Sequence, residues 1–150
     1  MNHQGYSAVG LFHPKDNYNI GGVLRAATIY ETSLVAIEGR RYQKHSADTT
    51  AAWRHLPLIQ DTILKEVIPY DCVPVAVDLI DDAQSLVEYV HPDRAFYIFG
   101  PEDGTLGKSV TEWCRDVVYV PGKHCMNLAA SVNVVLYDRM AKQMRRRKEI

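Results

Sequence analysis

The sequence predicts an α/β fold, a mostly parallel sheet with helices on both faces. A chain of 150 residues, 47% hydrophobic and 23% charged, has the size and composition of one compact globular domain. Short apolar runs of strand length alternate with runs in which apolar residues recur at helical spacing. We therefore expect a single domain over residues 1–150, with ligands bound where the strands end.

Five short apolar runs are predicted strands, because each has strand length and is bounded by turn-forming residues. They are Ser7–Phe12, Leu34–Glu38, Val73–Leu79, Ala95–Phe99 and Val117–Val120. Pro74 weakens the start of the third run, because proline cannot donate a hydrogen bond to a neighbouring strand.

Six stretches between and after these strands are predicted helices. The first opens at Asn19 and reads N-I-G-G-V-L-R-A-A-T-I-Y-E, with Asn19 or Asn17 able to cap it. The last, Met126–Arg147, is long and carries apolar residues on spaced faces. The four shorter helices are Ala47–Trp53, Thr62–Ile68, Asp82–Tyr89 and Lys108–Cys114.

The net charge of -1 conceals an uneven distribution. Residues 1–138 carry 11 basic against 17 acidic groups, a net -6, whereas residues 139–150 carry six basic groups and one acid, a net +5. Cations favour the carboxyl end of a helix, which explains two or three of these charges. The four consecutive cations from Arg145 to Lys148 are more than a helix end requires. This run is therefore interpreted equally well as a phosphate-binding segment or as a solvated helix end.

Cysteine usage and hydropathy exclude several classes of protein. The three cysteines have no C-x-x-C spacing, which indicates neither a disulfide framework nor a zinc site. No leader sequence opens the chain and no apolar run approaches the ~18 residues of a membrane span. We expect a soluble cytoplasmic protein with no metal and no membrane partner.

Residues 102–109 read E-D-G-T-L-G-K-S, which nearly matches the phosphate-binding pattern G-x-x-x-x-G-K-[ST]. Glu102 stands where the first glycine is required, and a carboxylate there would repel phosphate. The pattern therefore argues against nucleotide hydrolysis, and a β-turn is the simple structural explanation of Pro101 to Gly104.

Three loops at the expected carboxyl edge carry distinctive residues in chain order. The first is N-I-G-G-V-L-R-A-A, Asn19 to Ala27. The second is F-G-P-E, Phe99 to Glu102, at the end of a strand. The third is V-P-G-K-H-C-M-N-L-A, Val120 to Ala129, which opens the last helix.

Together these loops resemble the three motifs of the SPOUT superfamily, in its SpoU/TrmH branch of RNA 2′-O-ribose methyltransferases. The matching positions are Asn19, Arg25, Gly100, Glu102, Pro121, Met126, Asn127 and Leu128. The resemblance covers essentially the whole chain and implies a deep C-terminal trefoil knot. The continuation Val132 to Asp138 is similar to that of the short, single-domain (TrmL-like) enzymes that methylate the ribose at the wobble position of tRNA.

Two positions depart from the family pattern. Gly104 lies one position early, so that Thr105 precedes Leu106, and the loop is expected to turn differently. Cys125 replaces a serine, and a thiol is a weaker hydrogen-bond partner than a hydroxyl. Cys125 could instead be a small apolar residue under the helix start.

The resemblance implies S-adenosylmethionine as cofactor and assigns roles to individual residues. Arg25 would hold the target phosphate and stabilise alkoxide charge, since arginine is an obligate cation and a poor base. Glu102 would orient Arg25 or Asn19, and Asn127 would cap the last helix or bind the motif loops. His13 and His124 are candidate proton acceptors. The cofactor-binding positions would be Val77, Gly100, Val120, Cys125, Met126 and Leu128.

The resemblance also implies RNA, with tRNA favoured, and a second copy of the chain as partners. RNA contacts are expected from Arg25, Arg40, Arg41, Lys44, Arg54, Arg145, Arg146 and Arg147. The apolar face of the last helix would form the homodimer interface or ordinary core; its residues are Leu128, Val132, Val135 and Met140. Two alternatives stay open: a catalytically silent RNA-binding protein on the same fold, and a generic nucleotide-binding α/β protein.

Overall fold

The computed structural model describes residues 5–44 and 51–148, and within them seven strands form one sheet. The strand order is β3-β2-β1-β6-β4-β7-β5, and the six pairings between described strands are all parallel. The strands are β1 (Tyr6–Phe12), β2 (Leu34–Glu38), β3 (Leu58–Ile59), β4 (Val73–Val77), β5 (Gln84–Ser85), β6 (Arg94–Phe99) and β7 (Asp116–Tyr119). The predicted parallel α/β architecture is confirmed.

In the part of the chain that the structure describes, three α-helices cover the sheet. They are α1 (Asn17–Ile29), α2 (Lys108–Thr111) and α3 (Leu128–Lys148). Residues of α1 and α3 pack with one set of strand side chains, such as Val9 and Tyr97, in the larger core cluster. The alternate strand residues, such as Ala8 and Phe96, face a smaller cluster that includes Val110 of α2. Both faces of the sheet are therefore buried, as a parallel sheet requires.

Helix α1 begins two residues earlier than predicted, because Asp16 is its N-cap. The Asp16 Oδ1 accepts a hydrogen bond from the backbone N of Asn19 at 2.7 Å. An aspartate is a strong cap, since its carboxylate satisfies an amide that has no partner inside the helix. Neither Asn17 nor Asn19 is the cap, so the Asn19 side chain is left for other contacts.

The short predicted helices differ most from the structure. In Asp82–Tyr89 the chain instead forms β5 and a 3-10 turn at Leu86–Glu88, and Thr62–Ile68 contains only a 3-10 turn at Leu64–Glu66. Each turn buries one leucine, which is too little contact to hold a helix of several turns. In Ala47–Trp53, residues 47–50 lie outside the described residues, and a 3-10 turn covers Ala52–Arg54.

The apolar face of α3 is core. Leu128, Val132 and Val135 are at most 5% exposed and belong to the same cluster as α1, and Met140 is half-buried. The prediction of this face as a dimer interface is therefore wrong, and the alternative of ordinary core is confirmed.

Within residues 5–44 and 51–148 no helix combines the length and apolarity needed to span a membrane. The same described ranges hold no group of three or more His, Cys, Asp or Glu side chains arranged to bind a metal ion. The three cysteines are free; Cys72 is buried, Cys114 is half-buried and Cys125 is exposed.

Candidate active site at the carboxyl edge of the sheet

The register of the sheet brings the loops of the second and third motifs to one place. Val77 at the end of β4 pairs with Phe99 on one side and with Val118 on the other. The segments that follow β4, β6 and β7 therefore leave the sheet side by side. Leu11 of β1 also pairs with Phe99, which places the segment leading into α1 beside Gly100.

The carboxylate of Glu102 joins the first motif to the second. Its Oε2 accepts a hydrogen bond from the backbone N of Lys15 at 2.9 Å, and its Oε1 accepts one from Asn19 Nδ2 at 3.2 Å. The same Asn19 amide donates to Asp16 Oδ2 at 3.3 Å, and Asn19 is only 8% exposed. Glu102 therefore orients Asn19, one of its two predicted partners, and makes no hydrogen bond with Arg25.

Lys15 makes a second connection between the same two segments. Its Nζ lies 2.6 Å from Asp103 Oδ2, and this hydrogen bond lowers the pKa of the Asp103 carboxyl. The Lys15 carbonyl also accepts a hydrogen bond from the guanidinium of Arg40. Farther along, the backbone N of Gln43 donates to Asn17 Oδ1 at 3.2 Å. The basic segment after β2 is thus attached to the start of α1.

Asp78 holds the second-motif loop from the neighbouring strand. Its Oδ2 accepts a hydrogen bond from the backbone N of Leu106 at 3.2 Å, and its own N donates to the Val118 carbonyl at 2.9 Å. A Cβ at Gly100 would lie 3.3 Å from the Leu106 N, so the loop folds closely over this glycine. Between Gly100 and Leu106 the chain forms a turn, in which the Gly104 N donates a hydrogen bond to the Pro101 carbonyl at 3.3 Å. The early position of Gly104 is accommodated by this turn.

The third-motif loop is exposed from Pro121 to Asn127. Asn127 caps α3, because its Oδ1 accepts a hydrogen bond from the Ala130 N at 2.8 Å. Within the described residues, the backbone N–H groups of residues 122–126 make no hydrogen bond with another part of the chain. The exposed Cys125 lies in this loop rather than under the helix start, so the latter interpretation is wrong.

The remaining predicted residues are more dispersed. Arg25 is exposed and lies about 9 Å from Asn19 along the axis of α1. Within residues 5–44 and 51–148 it has no hydrogen bond or ion pair. His13 faces Glu38, with 3.7 Å between Nε2 and Oε2, whereas His124 is exposed in the third-motif loop. The Arg54 guanidinium lies 5.1 Å from the centre of the Trp53 ring. Arg41 and Lys44 are exposed, and Arg145, Arg146 and Arg147 lie at the far end of α3.

Sequence reasoning missed Asp16, Lys15 and Asp78, which all position the motif loops. Asp16 could have been found, because it stands three residues before Asn19 at a helix start, the usual place of a capping aspartate. Asp78 directly follows the β4 run at the predicted ligand edge, which is a weaker signal. The contact of Lys15 with Glu102 joins residues 87 positions apart and has no local signal.

The three motifs thus converge on one edge of a parallel sheet, and known proteins share this fold. The model of the SpoU rRNA Methylase family matches residues 7–137. The chain belongs to this family. No curated protein sequence matches the chain.

Solved structures of the SpoU type resemble the chain throughout most of its length. AviRb from Streptomyces viridochromogenes is 18% identical with a TM-score of 0.81, over 93% of this chain and 60% of that one. A TrmH/SpoU tRNA modifying enzyme from A. aeolicus is 13% identical with a TM-score of 0.83, over 95% of this chain and 78% of that one. The chain therefore spans about three fifths of the length of AviRb.

A protein studied for 2-OH methylation of C/U34 on tRNA is 20% identical, with a TM-score of 0.76, and the match covers 94% of this chain and 97% of that one. AviRb has also been solved in complex with its cofactor AdoMet. These similarities identify the fold as that of the SPOUT methyltransferases, and S-adenosylmethionine is the cofactor of the SpoU family. The trefoil knot fits this family and stays a prediction for this chain.

Proposed function

We propose that this SpoU-family chain is a single-domain, S-adenosylmethionine-dependent RNA 2′-O-ribose methyltransferase. The observation that carries the proposal is the Glu102 carboxylate, which bonds Lys15 and Asn19 beside the ends of β4, β6 and β7. A buried asparagine held by two carboxylates is a pre-organised polar group at the edge where parallel sheets bind ligands.

The loops after β4, β6 and β7 have the groups that a nucleoside cofactor needs. Within the described residues, the exposed N–H groups of residues 122–126 are free to donate. The cofactor would be held by Val77, Gly100, Val120, Cys125, Met126 and Leu128. When bound, it supplies a methyl group that its sulfonium has already activated.

The chain itself would position the RNA and stabilise developing charge. The Arg25 guanidinium is a permanent cation with no partner within the described residues, so it can bind the phosphate beside the target ribose. Asn19, oriented by Glu102, is a positioning residue at the start of the same helix. His13, which faces Glu38, and His124, which is exposed in the third-motif loop, are the two candidate proton acceptors.

The remaining RNA contacts are proposed for the basic segment beside the site. Arg40 bonds the Lys15 carbonyl, so Arg40, Arg41 and Lys44 lie next to the first motif, and Arg54 follows at the 3-10 turn. Such cations bind the phosphate backbone whatever the sequence.

The tRNA wobble ribose is the proposed target, supported by the full-length similarity to the C/U34 protein. We place the enzyme in the cytoplasm as a homodimer.

Methyl transfer from labelled S-adenosylmethionine to unmodified tRNA tests this function. Arg25→Ala is expected to lower kcat about 100-fold, because it removes a cation aimed at the transition state. Glu102→Gln is expected to lower kcat/KM about tenfold, since the neutral amide makes weaker hydrogen bonds with Lys15 and Asn19. Digestion of the product to nucleosides locates the methyl group on ribose or base.

Arg115→Ala is the control, because Arg115 is an exposed arginine immediately before β7, at the amino edge of the sheet. Its activity should stay within twofold of the unmodified chain. Full activity of Arg25→Ala would contradict the role of Arg25, and absence of methyl transfer to any RNA would contradict the proposed function.

Cys125 favours a second candidate, a catalytically silent RNA-binding protein on the same fold, because it replaces the hydroxyl that the family places there. Calorimetry with millimolar S-adenosylmethionine separates the two. Cofactor binding supports the enzyme, whereas RNA binding without cofactor binding supports the silent protein.

A further inference from the structure

The basic end of α3, defined as Arg145 to Lys148, lies far from the candidate site. Helix α3 starts at Leu128, where Gly22 of α1 closely approaches Ala129. It continues for 21 residues. At 1.5 Å per residue, Arg145 is about 27 Å from Asn127 along the helix axis.

Buried hydrogen bonds place this half of α3 at the amino edge of the sheet. Arg139 is 4% exposed, and its Nη1 donates to the Pro92 carbonyl at 2.7 Å and its Nη2 to the Asp93 carbonyl at 2.8 Å. Pro92 and Asp93 immediately precede Arg94, the first residue of β6. The basic end follows Arg139, so it cannot reach the carboxyl edge of its own chain.

The basic end borders a surface groove of about 270 Å³. Lys142 in this groove is already neutralised by Asp138 at 2.8 Å and donates to two carbonyls of the facing segment. Arg145 and Arg146 line the same groove and are exposed, and within the described residues neither forms an ion pair. Their charges are available to an anion outside the chain.

We propose that the basic end of α3 is a second surface that binds RNA phosphates. The protein would then bind RNA that is long enough to contact both this surface and the candidate site at the carboxyl edge of the sheet. The proposal rests on the proposed function and specifies its substrate. A stacked strand advances about 3.4 Å per nucleotide, so about eight nucleotides span the 27 Å. A folded RNA meets this requirement and a short oligonucleotide does not.

Binding of fluorescent RNA to the full chain at several salt concentrations tests the proposal. The probes are an unmodified tRNA transcript and a single strand of five nucleotides, which spans only about 17 Å. Arg145→Gln/Arg146→Gln is expected to weaken tRNA binding about tenfold and to reduce its salt slope by about two, one for each lost phosphate contact. Binding of the five-nucleotide strand should not change.

Two variants provide controls, and thermal unfolding checks that every variant is folded. Arg145→Lys/Arg146→Lys keeps the charges and should keep most of the tRNA affinity. Arg40→Gln/Arg41→Gln changes two residues beside the first motif, and it should weaken binding of both RNAs.

Two results would overturn the proposal. Unchanged tRNA binding in Arg145→Gln/Arg146→Gln would make the basic end a solvated helix terminus. An equal loss of affinity for both RNAs would mean that the basic end lies beside the candidate site of a second copy of the chain. Methyl transfer is a separate measurement: the predicted binding pattern without methylation would contradict the proposed function alone.

Discussion

At the scale of single residues, His91 shows how a buried polar group is satisfied. Its Nδ1 lies 2.7 Å from the Tyr97 hydroxyl and its Nε2 lies 2.7 Å from Asp138 Oδ2. The hydroxyl also accepts a hydrogen bond from Arg139 at 3.0 Å, so its own hydrogen is available to Nδ1. A neutral imidazole that accepts at Nδ1 and donates at Nε2 meets both demands.

We predict that His91 makes stability depend on pH in the acid range. Burial lowers the pKa of His91 from 6.5 to about 4, although the hydrogen bond and charge of Asp138 oppose the shift and the Lys142 and Arg139 charges reinforce it. Between these two pH values the unfolded chain binds more protons than the folded chain. The free energy of unfolding therefore falls as pH falls through this window, by about 3 kcal/mol from this group.

Urea unfolding at pH 7, 5.5 and 4.5 measures this effect. His91→Gln removes the titrating group and should flatten the pH dependence relative to the unmodified chain. His124→Gln is the control, because His124 is exposed, and it should retain the original dependence. Identical pH profiles for His91→Gln and the unmodified chain would show that His91 does not couple to folding.

At the scale of elements, the close approach of α1 and α3 explains a motif glycine. A Cβ built at Gly22 lies 2.8 Å from the Cβ of Ala129, which is shorter than carbon atoms tolerate. Gly22 thus allows α3 to start beside the first motif. Gly22 serves helix packing, and contact with a ligand is not needed to explain it.

We predict that Gly22→Val destabilises the fold by about 1–3 kcal/mol, because the added methyl groups overlap Ala129 and separate the helices. Ala129→Gly in the same chain should restore part of the loss. Ile29→Val, a change at an exposed residue of α1, should stay within about 0.5 kcal/mol. Chemical denaturation measures all three, and equal stability of Gly22→Val and the unmodified chain would contradict the close crossing.

The long or fully buried elements were predictable, whereas the two-residue strands and the 3-10 turns were not. The strand Leu34–Glu38 was predicted with its observed bounds, because a continuous apolar run is the pattern of a strand buried on both faces. The two-residue strands β3 and β5 were missed, since pairing with β2 and β7 defines them rather than a local pattern. Of the two partners predicted for Glu102, Asn19 is the one observed, whereas the connections through Lys15 and Asp78 join distant segments and were not predicted.

At the scale of the whole molecule, one exposed apolar surface has the features of a protein interface. Val87, Val134 and Tyr137 are 67%, 36% and 56% exposed and line a groove of about 440 Å³ that also includes Val120 and Pro121 of the third-motif loop. A contiguous apolar surface of this kind is typical of an interaction site. We therefore place the proposed homodimer interface here, on the side of α3 away from its core face.

We predict that Tyr137→Arg weakens dimerisation at least about 30-fold, because it puts a charge in the centre of this surface. Sedimentation equilibrium over a range of protein concentrations measures the change. Tyr70→Arg is the control, because Tyr70 is 93% exposed and lies away from the groove, and it should leave dimerisation unchanged. A monomeric unmodified chain, or a Tyr137→Arg variant that stays fully dimeric, would refute this interface.

The sequence by itself determined the parallel α/β fold, the three motifs and the asymmetric charge, because hydrophobic periodicity and local residue chemistry are properties of short segments. The tertiary structure alone decided which face of α3 is core, which carboxylates hold Asn19, and that Arg139 carries the basic end of α3 to the edge opposite the motifs. Strand order, helix crossing and burial depend on contacts between residues distant in sequence, and no local pattern specifies them.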